Sequence, residues 1–216
     1  IQENDQEWLI RNYDFDPSTI ILIVEDLENN LVGSVTIVFD DCRPLPAEKI
    51  YFEEIKKLKN TSQKFVELSR LVINPDYRNS KEVLILLFNY LAIYSYHVKN
   101  YSNLVVEVNP RHKNYYKSLL NFDEVGIEKS CPNVQNAPAV LLHLNLDRYQ
   151  SEVLRCICPN NQEKKERSLY PYFIKPEQES LVAYYLEKQA KPMSKEEKNY
   201  FGFYSQRFVL PELLQA

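Results

Sequence analysis

The chain has 216 residues, 44% hydrophobic and 26% charged, which suits one large domain, or a domain with an appendage, around a sizeable core. Its formal net charge of -4 argues against a nucleic-acid partner, because phosphate neutralisation needs concentrated Lys and Arg. No apolar run approaches the ~20 residues that span a bilayer and no signal-peptide core is visible, so a cytoplasmic protein with no transmembrane segment is expected.

Up to about Asp16 the chain is polar, with one Trp and no clear element. Thr19 to Glu25 is a β-rich apolar run, Asp26 to Asn30 a turn, and Leu31 to Phe39 the returning strand of an antiparallel hairpin. Pro44 and Pro46 mark a loop before a helix from Glu48 to Leu58. Lys64 to Ile73 reads as a strand closed by Asn74-Pro75-Asp76. Ser80 is placed to cap a helix from Lys81 to about Val98, with Val83, Leu84, Leu87, Leu91 and Tyr94 on one face. Asn103 to Val108 is a short buried strand. Asn109 at N-cap and Pro110 at the first helical position then start a helix to about Leu120. Phe122 to Glu128 and Ala139 to Leu146 are two more strands, separated by a loop from Lys129 to Pro138. The alternation in the second half implies a parallel pair joined by a crossover helix, within a mixed α/β sheet that is mostly antiparallel.

Beyond Asp147 the composition changes. Pro159 to Arg167 reads as an exposed linker, Gln178 to Ala190 as an amphipathic helix, and Ser194-Lys195-Glu196-Glu197 as a capping box for a last helix to about Phe208. Residues 151–216 are too few for a core of their own and are expected to pack, as a helical extension, on a domain of residues 1–150. Cys156 and Cys158 form a lone Cys-x-Cys, and His97, His112 and His143 are scattered, so neither a disulfide framework nor a metal site is expected.

Four stretches carry a resemblance. They are Val66 to Leu71 (VELSRL) with Asn74 to Arg78 (NPDYR), Glu107 to His112 (EVNPRH), Tyr115 to Phe122 (YYKSLLNF) and Asn136 to Leu142 (NAPAVLL). In this order, over about residues 19 to 147, the chain resembles the GNAT acyltransferase superfamily. Within it the chain is similar to the bacterial long-chain N-acyl amino acid synthases. The Glu-x-Ser-Arg element, Glu67 to Arg70, also looks like one in the acyl-homoserine-lactone autoinducer synthases.

The resemblance implies transfer of a medium or long fatty acyl group from an acyl-carrier-protein phosphopantetheine thioester to the α-amine of an amino acid, with no bound cofactor. Glu67 would be the general base or bind the ammonium, against a structural reading as a strand-end carboxylate. Tyr116 matches the position of the general acid toward the leaving thiolate. The spacing to Phe122 is one residue longer than usual, which leaves Tyr115 or Tyr116 open, and a packed aromatic is the plainer reading. Ser69, Leu71 and Val72 lie on the strand that binds the pantetheine arm, where a backbone N–H near Leu71 or Val72 polarises the carbonyl. Arg70 points away from Glu67 on a regular strand, and only a bulge brings the two together. It would bind the acceptor's carboxylate or make a structural pair. Asn109 already has a role as N-cap, and Asn136 belongs to a loop, Asn133 to Pro138, that resembles the one closing over the product. Leu181, Tyr184, Tyr185, Phe201, Phe203 and Tyr204 of the tail would cover an acyl tunnel or simply pack.

One departure bears on the donor. Superfamily members that use coenzyme A have a glycine-rich loop whose N–H groups cradle the pyrophosphate. Here the stretch is Arg78-Asn79-Ser80-Lys81-Glu82-Val83, without glycine and with a repelling Glu82, and the chain has only 3 Gly. That favours a carrier-protein donor over acyl-CoA. Arg78, Lys81, Arg111, Lys113 and Lys117 would steer an acidic carrier protein, unless they are solvated helix faces. A second departure concerns the acceptor. The family's fold opens with a strand and one or two helices that help bind it, and 18 residues precede Thr19. Either that part lies outside this chain or the acceptor site differs. A coenzyme A-dependent N-acetyltransferase and an idle acyl-carrier or lipid-binding module are the alternatives.

Overall fold

Period-two burial along the first strand, with Ile20, Leu22 and Val24 turned toward the core and Ile21 and Ile23 outward, sets one edge of the sheet. A computed structural model describes residues 11–41, 43–59, 63–78, 81–157 and 167–200. The strands are β1 (Ile20–Glu25), β2 (Leu31–Phe39), β3 (Phe65–Ile73), β4 (Asn103–Val108), β5 (Asp123–Glu124), β6 (Lys129–Cys131) and β7 (Ala137–Asn145). Their order in the sheet is β1-β2-β3-β4-β7-β5, with β6 paired to β7. β3 and β4 are parallel and every other pair is antiparallel.

Helices cover both faces. α1 (Glu48–Leu58) lies on one, where Tyr51 and Ile55 pack with Leu45 on Phe65, Val105 and Leu141. The other face carries the larger core. There Val66, Leu68, Leu104, Val106 and Leu142 meet α2 (Lys81–Ile93), α3 (Pro110–Leu120) and α4 (Leu146–Ile157). Gly33 of β2 lets α2 approach: a Cβ there would stand 3.0 Å from Val83 Cγ1 and 3.2 Å from the Val72 carbonyl oxygen. Asn109 caps α3, its side chain accepting from the Arg111 N–H, with Pro110 next, as the sequence predicts.

The structure departs from expectation at four places. The helix after Lys81 does not run evenly to Val98: Tyr94–Val98 is a π-helical turn, onto which α5 (Pro176–Gln189) packs and pairs Glu179 with His97 (2.7 Å). The strand over Phe122–Glu128 shrinks to Asp123–Glu124, because the N–H groups of Val125 and Gly126 both turn onto the Leu141 carbonyl and end the regular ladder. The loop Lys129–Pro138 contains β6, and β7 begins two residues early. Finally, α4 follows β7 without a turn. Asn145 caps it by accepting from the Arg148 N–H (2.8 Å), and Leu146, Tyr149 and Val153 are its buried stripe.

Residues after Asp147 pack on the same core. Leu169, Tyr170 and Phe173 join it, the Asn89 side chain binds the Tyr149 hydroxyl and the Ile174 N–H, and Tyr170 donates to the Leu120 carbonyl. The capping box before α6 (Lys195–Tyr200) is present, with Ser194 and Glu197 exchanging hydrogen bonds of 2.7 and 3.1 Å. Leu181, Tyr184 and Tyr185 are exposed, while Ser80, Cys158, Phe201, Phe203 and Tyr204 lie outside the described residues. No helix among the described residues is long and apolar enough to cross a membrane.

Gly126 is needed for close approach. A Cβ there would stand 2.6 Å from the Tyr51 ring and 2.9 Å from Leu141 Cβ, and Tyr51 is held by its hydroxyl donating to the Ala139 carbonyl (2.6 Å). Gly126→Ala is therefore expected to destabilise the fold by about 1–3 kcal/mol in denaturant unfolding.

Candidate active site

The β3–β4 ladder runs from Phe65↔Asn103 to Leu68↔Val106 and stops, although β3 continues to Ile73 and β4 to Val108. The cause lies in β3. Ser69 pairs with Thr36 and Val72 with Ser34, so Arg70 and Leu71 together oppose Val35 in a β-bulge. Arg70 takes a left-handed conformation (φ 48°), which costs a residue with a Cβ about 1–2 kcal/mol. Beyond the bulge β3 remains on β2 and parts from β4, leaving Ser69 to Ile73 without a strand partner on that side among the described residues. Such an edge presents backbone donors and acceptors to an extended ligand.

Glu67 stands where the strands part, on the α1 face with Phe65. It is 3% exposed, and its Oε2 accepts from the Ala47 N–H at the start of α1 (2.8 Å). No hydrogen bond reaches Oε1 among the described residues. Burial pushes its pKa up to about 8, with the Glu107 and Glu48 carboxylates adding and the Ala47 N–H opposing. Glu107 occupies the same face of β4, two residues beyond Val105, the register partner of Glu67. Burial raises its pKa as well, and a hydrogen bond with Cys131 at the end of β6 holds it down in part. Cys131 leads into the turn that ends at Gln135 (φ 53°) and Asn136 (φ 60°), where the Asn136 carbonyl accepts from Ser130 Oγ (3.1 Å).

The bulge turns Arg70 to the one-turn helix Asn12–Phe15. Asp14 takes both of its terminal nitrogens, one at 3.1 Å, and the guanidinium stacks 5.0 Å from the Tyr13 ring centroid. Tyr13 also shares a hydrogen bond with Ser69 Oγ (3.1 Å). Arg70 therefore serves Asp14 and not Glu67, and its Nε is buried without a partner. Leu71 is half-buried against the core and Val72 exposed.

Tyr116 is buried edge-on between Phe88 (5.7 Å) and Phe122 (5.5 Å), where burial raises the pKa of its phenol. Tyr115 is half-buried beside it. Among the basic residues, Lys113 and Lys117 hold Glu124 (3.0 and 3.2 Å). Arg78 Nε donates to the Ile73 carbonyl, Arg111 Nε to His112, and Lys81 is exposed at the start of α2. Asn79 and Ser80 lie outside the described residues. Sequence reasoning missed Glu107, Cys131, Tyr13 and Asp14. The signal for Glu107 was present, as a lone acid inside the apolar run Asn103–Val108.

A mixed sheet that opens between two parallel central strands, with helices on both faces and a carboxylate at the opening, is a fold of the GNAT type. The model of one family, described as N-acyl amino acid synthase FeeM, matches residues 1–145, and the chain belongs to that family. Among solved structures, the chain is similar to FeeM, an N-acyl amino acid synthase from uncultured soil microbes. The two are 24% identical over 64% of this chain and 79% of that one, with a TM-score of 0.57. It shares its fold with BjaI, a CoA-dependent acyl-homoserine lactone synthase (12% identity, 69% of this chain and 71% of that one, TM-score 0.52). Of the curated proteins, none matches.

The raised Glu67 pKa makes a stability prediction. A carboxyl that ionises near pH 4.5 when unfolded and near 8 when folded stabilises the native state below pH 4.5, and that contribution is lost as pH rises to about 8. Glu67→Gln removes the dependence. Thermal unfolding should show the variant gaining on the wild type steadily from pH 5 to pH 8.

Proposed function

We propose that the chain moves a medium or long fatty acyl group from an acyl-carrier-protein phosphopantetheine thioester to the α-amine of an amino acid. The observation that carries this reading is a buried carboxylate, Glu67, at the mouth of an unpaired strand edge; family membership supports it. The pantetheine arm lies along Ser69 to Ile73, and the N–H of Leu71 or Val72 polarises the thioester carbonyl. Glu67, whose pKa burial lifts to about 8 and so toward that of an ammonium, takes the amine's proton at far less cost than an ordinary carboxylate would. The Tyr116 phenol, whose proton burial holds in place, donates a hydrogen bond to the departing sulfur; Tyr115 is the other candidate on the same helix. Asp14, Arg70 and Tyr13 wall the acceptor side. Asn109 fixes the start of α3, and Asn136 shapes the turn over the product.

The donor assignment rests on the glycine-free stretch Arg78 to Val83 with its Glu82, which lacks the features of a pyrophosphate cradle. Arg78, Lys81 and Arg111 supply docking charge; Lys113 and Lys117 add one net positive charge after Glu124.

Mass spectrometry of lipid extracts from expressing cells tests the reaction. New N-acyl amino acids should appear with the wild type and fall by about 100-fold or more with Glu67→Ala; extracts matching an empty-vector control would sink the reading. Docking is tested separately: Lys81→Glu with Arg111→Glu should raise KM for the carrier-borne donor about tenfold or more and leave a free acyl-pantetheine donor unaffected.

A further inference from the structure

We propose that Glu107 and Glu67 work as a pair, holding the acceptor as its ammonium and taking one of its protons. This rests on the acyl-transfer reading above and adds a second functional carboxylate to it.

Both side chains lie on the α1 face of adjacent parallel strands, and both lie where the ladder ends, one on each wall of the opening. Among the described residues no hydrogen bond reaches Oε1 of the buried Glu67, and neither carboxylate is in an ion pair. The cations on the surrounding elements are committed: Lys59 to Glu48 (2.7 Å) and Asp40 (3.2 Å), Lys129 to Glu54 (2.7 Å), and Arg70 to Asp14. The other ionisable groups facing the pair are Glu48 and Tyr51 of α1 and Cys131 of β6, and none of these carries positive charge. A buried carboxylate, Glu67, and a half-buried one, Glu107, repel each other without a counter-cation, and a substrate ammonium between them removes the repulsion. Burial, with the Glu107 charge adding, raises the pKa of Glu67 to about 8, so Glu67 releases and takes a proton near neutral pH.

The proton account closes. The acceptor enters as R–NH3+ and gives one proton to the pair. Its free lone pair attacks the thioester carbonyl; the C–N bond forms and the C–S bond breaks. A second proton passes from nitrogen to the departing thiolate, the third stays on the amide, and the pair returns its proton to solvent.

The test uses the full chain with glutamate labelled at the carboxyl carbon, comparing wild type, Glu107→Gln and Glu107→Asp. Carboxyl titration by NMR is read beside the kcat–pH profile with an acyl thioester donor. Glu107→Gln should lower the Glu67 titration midpoint and move the acidic limb of kcat down by about one pH unit, and Glu107→Asp should restore both in large part. An unmoved Glu67 midpoint, or a moved midpoint with an unmoved limb, overturns the pairing while acyl transfer stands. A wild type that forms no N-acyl product removes the acyl-transfer reading, and the pairing's role with it.

Discussion

Two parallel strands at the centre of a sheet ordinarily hold together along their length, yet β3 and β4 share register only from Phe65↔Asn103 to Leu68↔Val106. Everything at the site follows from that early parting. The extra residue at Arg70 and Leu71 bends β3 onto β2, and Asn109-Pro110 turns β4 into α3 on the other side. The opening is thus fixed from both walls by local backbone chemistry. The strain of a left-handed Arg70 is offset by its bonds to Asp14 and its stacking on Tyr13.

Burial then gives the opening its chemistry. A carboxylate in water would be ionised and weakly basic at neutral pH. Under α1, with the Ala47 N–H donating to it, burial lifts the pKa of Glu67 out of the ordinary carboxylate range to about 8. The far face of the sheet has a different task. Asn89, Tyr149, Tyr170 and Phe173 tie the segment after α4 to α2 and to the end of α3, the helices whose starts carry Lys81 and Arg111. The extension therefore braces α2 and α3.

Much of the fold was legible in the sequence because its elements obey local rules. The hairpin Thr19–Phe39, the parallel pair with its crossover helix and the Asn109-Pro110 helix start are set by periodicity and capping. What was not legible depends on long-range partners. β6 exists because β7 lies beside it, the π turn carries α5 across it, and β5 stops where Val125 and Gly126 share the Leu141 carbonyl. At the site, the Glu-x-Ser-Arg element singles out Glu67 and Arg70 only through its resemblance to the synthases, and the bulge sends Arg70 to Asp14, a residue 56 positions away. Glu107 was passed over because its significance lies in register with β3, which spacing along β4 does not reveal.

The central claim, that the edge of β3 beyond the bulge receives the thioester arm, is tested most directly by hydrogen exchange with and without a non-hydrolysable acyl-pantetheine analogue. The account predicts that amides within Ser69–Ile73 exchange more slowly when the analogue is bound, while those of β1 do not change. Protection that falls elsewhere in the chain, with Ser69–Ile73 unaffected at saturating analogue, would contradict it.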